Sequence, residues 1–112
     1  MAGTRALILL TTVASSADGD TLASALVEER LAACVSLIGP IHSTYRWEGS
    51  VQRESEILLL IKSTEDRRED LERRLTELHP YDVPEILFLE PSRAGAPYLA
   101  WLEGSTKKEP GR

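Results

Sequence analysis

Two long β-prone runs joined by a short turn, residues 34–62, constrain the fold more than any other stretch of the chain. From residue 35 to residue 47, large apolar side chains alternate with polar ones, which is the period of a strand with one buried face. Gly49 marks a turn, because it separates the two runs and tolerates positive φ. A second strand follows from Val51 to Lys62, and its continuously apolar half, Ile57 to Ile61, is typical of a strand covered on both faces. The apolar side chains of the first run, all at odd positions, are Val35, Leu37, Ile41, Tyr45 and Trp47.

This hairpin is longer than a small domain can cover by itself. Strands are usually about 5–6 residues long, and each of these runs is roughly twice that length. The tip, which carries Tyr45 and Trp47, is therefore predicted to project and to pack on another surface. A second copy of the chain is the simplest candidate for that surface.

Length and composition indicate one globular domain over residues 1–112, with an ordered core of about residues 5–103 and a flexible tail over residues 104–112. The formal net charge of -5 argues against nonspecific binding to nucleic acid, which depends on neutralising phosphates. Cys34 is the only cysteine, so neither an intrachain disulfide nor a zinc site with paired cysteines is expected.

The apolar run near the N-terminus falls short of the ~20 residues that span a bilayer, and a cytoplasmic location without membrane contact is the default expectation.

The rest of the chain predicts strands and helices in a regular order. Ala6 to Val13 is a short aliphatic run that indicates a buried strand. A helix is predicted from about Thr21 to Ala33, a second one after Ser63 or Thr64 up to His79, and a further strand over Ile86 to Leu89. Tyr98 to Leu102 predicts a terminal helical turn or more. This order indicates an α+β, ferredoxin-like split βαβ fold, βαββαβ with a short C-terminal helix, in which two helices lie on one face of an antiparallel sheet.

The stretch His79 to Glu85 carries the densest chemistry: an imidazole, a phenol and two carboxylates held between two prolines. These groups suit a cation or a polar ligand if the prolines preorganise the loop. The alternative is that His79 merely interacts with the negative end of the preceding helix. His42 is interpreted as a solvated strand residue, and Cys34 as a small buried side chain.

Lys62 ends an apolar strand, so its stem must pass the edge of the core before the ammonium emerges. It either reaches solvent or pairs with Glu85, Asp82 or Glu56, as a structural tie or as half of an anion-binding cleft. No phosphate loop, nucleophile elbow or paired-carboxylate motif is present, and an enzyme is not expected.

Five blocks, in this order along the chain, resemble the CutA divalent-cation tolerance proteins. Together they extend the resemblance from about Leu7 to Leu102. The blocks are Leu31-Ala32-Ala33-Cys34-Val35, Ser43-Thr44-Tyr45-Arg46-Trp47-Glu48-Gly49, Ile61-Lys62-Ser63, His79-Pro80-Tyr81-Asp82-Val83-Pro84-Glu85-Ile86 and Tyr98-Leu99-Ala100-Trp101-Leu102.

The resemblance implies a ferredoxin-like fold in a homotrimer, whose long hairpins extend across subunit boundaries, and a role in tolerance of divalent metals with copper binding in bacterial members. The copper site proposed for enterobacterial members uses a cysteine late in the first strand and two adjacent histidines. The matching positions in this chain are Thr11, Leu78 and His79, of which only His79 is a good ligand for copper.

Two functional hypotheses follow. The first is a homotrimer that binds copper(II) or another divalent cation weakly through His79, Glu85 and Asp82, without an organic cofactor. The second is a trimeric signalling or scaffold module that resembles the PII proteins in plan and binds a small anionic ligand in inter-subunit clefts lined by Lys62, Tyr81, Glu85 and Trp101. In both, Tyr45, Trp47 and Tyr98 are predicted trimer-interface residues.

Overall fold

The computed structural model describes residues 3–108, and they form an antiparallel sheet with helices. The strands lie in the order β2-β3-β1-β4, each antiparallel to its neighbour. This is the predicted ferredoxin-like α+β arrangement, which is confirmed. The elements are β1 (Ala6–Val13), α1 (Ser16–Glu28), β2 (Cys34–Trp47), β3 (Ser50–Thr64), a 3-10 turn (Glu65–Arg67), α2 (Arg68–Leu78), β4 (Leu87–Leu89) and α3 (Ala96–Thr106).

The β2–β3 hairpin is slightly longer than the sequence predicts, with 14 residues in β2 and 15 in β3. Its two-residue turn, Glu48 and Gly49, has positive φ at both positions (48° and 84°), as the tightest hairpin turns require. The hairpin makes the molecule elongated, with principal extents of 49 × 31 × 22 Å.

The register of β2 against β3 shifts once, between Ile38 and Ile41. Ile38 lies opposite Leu58 and Ile41 lies opposite Glu56, so three steps along β2 match two steps along β3. Such a bulge holds one extra residue, and side chains beyond it change face because strand side chains alternate with a period of two.

The bulge divides the apolar residues of β2 between two faces. Val35 and Leu37 pack against the buried core beneath the helices, whereas Tyr45 and Trp47 lie beyond the bulge and are 40% and 49% exposed. The prediction of one continuous buried face along β2 is therefore wrong beyond Ile38, since the sequence alternation does not reveal the extra residue.

The core lies between one face of the sheet and the helices α1 and α2. It is built from odd-numbered residues of β1 and β3, which point to one side, and from the apolar stripes of the two helices. The other face of the sheet, which we call the open face, is also apolar. Fully buried core residues include Leu9, Leu26, Leu59, Ile61, Leu71 and Leu75, and the open face includes Ile8, Leu10, Ile38, Leu58, Leu60, Leu87 and Leu89.

Helix α1 begins five residues before the predicted start at Thr21 and ends at Glu28 rather than Ala33. Its N-cap is Ser15, whose Oγ accepts a hydrogen bond from the backbone N–H of Asp18 at 3.1 Å. The helix ends because Arg30 adopts a left-handed φ of 60°, and the N–H groups of the next two residues return to the carbonyl of Leu26.

The two later helices also differ from the predicted bounds. Thr64 does not cap α2, because a 3-10 turn precedes that helix and the Thr64 Oγ1 lies 3.1 Å from Thr106 Oγ1. Helix α3 continues to Thr106, past the predicted start of the flexible tail at residue 104. Thr106 is only 2% exposed. The last four residues of that tail, 109–112, lie outside the described residues.

We expect Gly39→Ala to lower the free energy of unfolding by about 1–3 kcal/mol, as overpacking does. A Cβ at Gly39 would lie 2.9 Å from Ile57 Cδ1 and 3.1 Å from the carbonyl oxygen of Glu56, so the bulge would have to move. Gly3→Ala is the matched control, because nothing lies within 4 Å of a Cβ there, and its change should stay within about 0.5 kcal/mol. Equal changes in urea unfolding of both variants would contradict this account of the bulge.

Candidate functional site

His79 connects the loop that follows α2 to strand β1. The residue is 7% exposed. Its Nε2 lies 2.9 Å from the carbonyl oxygen of Thr12 and 3.1 Å from Thr11 Oγ1, and its Nδ1 accepts a hydrogen bond from the backbone N–H of Tyr81 at 3.1 Å. Because Nδ1 accepts, the proton of the neutral ring is on Nε2, which donates to the Thr12 carbonyl. Both ring nitrogens are therefore occupied within the chain.

These contacts bear on the copper positions that the family resemblance implies. The fold does bring Thr11 and His79 together, as that resemblance requires. However, the hydroxyl of Thr11 is a poor ligand for a soft cation and Leu78 offers none. His79 could bind a metal only by giving up its hydrogen bond to Thr12 or to Tyr81, so these positions do not suit copper in this chain.

Tyr81 extends the same loop to the hairpin. Its hydroxyl donates to Glu56 Oε2 at 3.2 Å, and its ring packs on His79 with the centroids 4.9 Å apart. Burial and the neighbouring Glu56 carboxylate raise the pKa of Tyr81 to about 12, so the phenol remains a hydrogen-bond donor at neutral pH.

Several acidic side chains surround this contact. Burial, followed by the charge of Glu56, raises the pKa of the Glu85 carboxyl. Burial, followed by the charges of Glu54 and Glu56, raises the pKa of Tyr45. We call these five residues the carboxylate–phenol group: Tyr45, Glu54, Glu56, Tyr81 and Glu85.

The sequence does not indicate the role of Glu54 and Glu56 in this group, and it predicts Glu56 only as a partner of Lys62. Both residues lie beyond the bulge, where the predicted facing of β2 is wrong. Their spacing of two residues on β3 was the available signal, because it places both on one face of a strand.

The predicted metal ligands His79, Glu85 and Asp82 do not form a binding group within one chain. Asp82 is exposed, and no group of three or more His, Cys, Asp or Glu residues between residues 3 and 108 could hold a metal ion. A metal site at these residues stays a prediction, and it requires a further ligand.

The predicted inter-subunit cleft residues also remain apart in one chain. Lys62 lies six residues from Glu56 along β3, roughly 20 Å at about 3.3 Å per residue, whereas Tyr81 contacts Glu56. Trp101 is on α3, where it packs on Tyr98 with the ring centroids 5.5 Å apart. Tyr98 and Trp101 are 45% and 48% exposed.

A charged cleft of about 350 Å³ lies between the end of α1 and α2. Its guanidinium groups are paired with carboxylates: Arg74 binds Glu29 at 2.8 Å and Arg73 binds Asp70 at 3.2 Å. The side-chain hydrogen bond from Arg74 lowers the pKa of Glu29. We interpret this cleft as a solvated ion-pair network that ties the two helices together.

We expect the free energy of unfolding to fall as the pH drops below about 6.5, partly because of His79. Burial lowers its pKa below the usual 6.5, so below that pH the unfolded chain binds a proton that the folded chain does not. The stabilising contribution is complete above pH 6.5 and is lost as the pH falls to the lowered pKa. Urea unfolding of wild type and His79→Gln between about pH 7.5 and pH 5 measures this contribution as the difference between their free energies of unfolding. A difference that does not change with pH would contradict the prediction.

Known proteins resemble this chain in sequence and in fold. The profile of the family described as "CutA1 divalent ion tolerance protein" matches residues 7–105. Among residues 3–108, no helix combines the length and apolar character needed to cross a bilayer.

Two relatives show how far the likeness extends. A divalent-cation tolerance protein CutA of Thermus thermophilus is 46% identical over 99 residues, which cover 88% of this chain and 96% of that protein. The protein of the same name from Pectobacterium atrosepticum is 41% identical over 102 residues, covering 91% of this chain and 93% of its own length.

Solved structures match as well. The crystal structure of divalent ion tolerance protein CutA1 from Ehrlichia chaffeensis has a TM-score of 0.90 at 26% identity, covering 96% of this chain and all of that one (100%). The Thermus thermophilus divalent cation tolerance protein has a TM-score of 0.87 at 44% identity, with 91% and 99% covered. The resemblance drawn from the five blocks is thus confirmed, and the chain belongs to the CutA1 divalent ion tolerance protein family.

Proposed function

We propose that this protein is a homotrimeric divalent-cation tolerance protein that binds a divalent cation weakly and takes part in the response to metal ions. Its membership of the CutA1 family supports this role. The names of the relatives describe tolerance of divalent cations rather than a reaction, which agrees with a role that is not enzymatic. The cytoplasmic location expected from the sequence stays a prediction.

The open face of the sheet supports the homotrimer. Ile38, Leu87 and Leu89 on this face are 44%, 55% and 49% exposed in one chain. A contiguous apolar surface of this kind favours burial against another protein surface. The exposed aromatic residues predicted at the interface, Tyr45, Trp47 and Tyr98, are available for contact with neighbouring copies.

The carboxylate–phenol group is the observation that carries the cation proposal. It holds three carboxylates, and none of them forms an ion pair with any residue between 3 and 108. Burial, followed by the charge of Glu56, raises the pKa of Glu85, and a divalent cation would compensate both effects by favouring the charged carboxylate. The same charge argues against a small anionic ligand here, and therefore against the PII-like alternative.

We infer that the cation is held by oxygen atoms and not by imidazole. Glu85 of the carboxylate–phenol group and Asp82, which precedes it in the same loop, supply carboxylates, and a neighbouring copy supplies the remaining ligand. His79 positions the loop that carries them, because both of its nitrogens are engaged. An all-oxygen site lacks the nitrogen and sulfur ligands that copper prefers, so binding of copper(II) is weak.

Calorimetric titration with copper(II) in a non-chelating buffer tests the site. Glu85→Gln removes a carboxylate while keeping the shape of the side chain, and it should weaken binding by about tenfold, as changes near metal ligands do. Glu103→Gln on α3 is the matched control and should bind like the wild type. His79→Gln should retain most of the affinity. Loss of binding in His79→Gln with full binding in Glu85→Gln would contradict the all-oxygen site.

Sedimentation of the purified chain tests the assembly. The wild type should sediment as a trimer, and Leu58→Glu should shift it toward the monomer, because a charge then faces the buried interface. Val27→Glu makes the same change on the outer side of α1, at a residue that is 40% exposed, and should leave the trimer intact. A monomeric wild type, or two variants that behave alike, would overturn the proposed interface.

A further inference from the structure

Lys62 stands near the end of β3 on the open face. It lies opposite Ile8 of β1 and Cys34 of β2, and its side chain is half-buried. Within the part of the chain that the structure describes, no carboxylate comes within the 4.0 Å of an ion pair with its ammonium. An ammonium on an apolar surface that becomes buried needs a compensating charge.

The carboxylate–phenol group lies on the same face, and its carboxylates lack a positively charged partner among residues 3–108. Glu56 points to the side of the sheet that carries Lys62, because both are even-numbered residues of β3. The roughly 20 Å between them along the strand prevents contact within one chain. Tyr81 donates to Glu56 Oε2, and no hydrogen bond from residues 3–108 reaches Oε1, which is therefore open to a further donor.

We propose that Lys62 of one copy of the chain contacts Glu56 in the carboxylate–phenol group of a second copy, so that this group is complete only in the assembly. The contact rests on the homotrimer proposed above. Charge complementarity indicates that a second copy of this chain covers this part of the open face, because each copy carries both the unmatched ammonium and the unmatched carboxylates. In a cyclic trimer each copy offers Lys62 to one neighbour and receives that of the other, so the contact repeats three times.

The contact has a consequence for cation binding. A divalent cation that enters the group must compete with an ammonium already placed against the carboxylates. The neighbouring Lys62 therefore lowers the affinity for the cation, and it links occupancy of the site to the contact between copies.

Charge exchange tests the contact without any ligand. Lys62→Glu and Glu56→Lys should each lower the thermal midpoint of the trimer, because each places like charges together. The double variant should recover most of the loss, and sedimentation should show the trimer restored. Recovery requires a contact between copies, since the two residues are too far apart in one chain. Independent sites give additive effects. If the two decreases in thermal midpoint simply add in the double variant, the proposed contact is overturned.

The outcome for the wild type separates this inference from the proposed function. A wild type that is not a trimer overturns both the assembly and the contact. A trimeric wild type whose two charge reversals are additive overturns the contact alone. A trimer that binds no cation overturns the cation proposal, and the charge exchange still decides whether Lys62 meets Glu56.

Copper(II) titration of Lys62→Met provides a second readout. This variant keeps an apolar stem and removes the charge, and it should bind copper(II) about tenfold more tightly, since a charge within about 4–6 Å shifts such equilibria by at least that much. Arg53→Met is the matched control. Arg53 lies only three residues from Glu56, about 10 Å along the same strand, but on the other face. An effect of Arg53→Met equal to or larger than that of Lys62→Met would overturn the contact between copies.

Discussion

The extra residue in β2 between Ile38 and Ile41 determines which surface of the hairpin faces which partner. Before the bulge, the side chains of Val35 and Leu37 complete the core under the helices. After it, Tyr45 turns to the open face, where burial, followed by the charges of Glu54 and Glu56, raises its pKa. Without the bulge, the same aromatic residues would lie on the helix-covered side, where the hairpin extends beyond any helix. The open face would then have no aromatic and carboxylate side chains to offer a second copy.

His79 gives the loop between α2 and β4 a fixed position. Its imidazole donates to a carbonyl of β1 and accepts from the backbone of Tyr81, so one buried ring joins a central strand, a helix end and the loop. The ring of Tyr81 packs on it, and the phenol then reaches the hairpin. This chain of contacts explains why a histidine that looks like a metal ligand in the sequence serves as a structural connection. Burial of a polar ring is tolerated because each nitrogen has a partner.

Charged side chains are arranged differently on the two sides of the sheet. Over the helices, several acidic and basic side chains form ion pairs, such as Arg74 with Glu29. On the open face, the carboxylates of the carboxylate–phenol group lie at one place and Lys62 lies at another. Like charges at close range repel each other, and this repulsion is stronger next to an apolar surface, because the local dielectric constant is lower there. The open face therefore combines apolar area with unmatched charge, and the proposed contact with other copies or with a cation would relieve both.

The sequence by itself determined the fold and the family. Alternating and continuous apolar runs specify strands, the leucine spacing after Ser63 specifies a helix, and the order of these elements leaves few arrangements of one small sheet. The motif blocks were specific enough to identify the CutA1 family. These signals are local in the chain, so they can be read without coordinates.

Tertiary structure alone decided the facing of side chains beyond the bulge and the partners of the polar groups. The alternation from Ile41 to Trp47 looks the same in sequence with or without an inserted residue, because only the pairing with β3 reveals the shift. The state of His79 likewise depends on Thr12, which lies 67 residues away in the chain. The grouping of Glu56 with Tyr81 and the separation of Lys62 from both follow from the register of paired strands. A hydrogen bond or an ion pair depends on distance in space, and distance along the chain does not determine it.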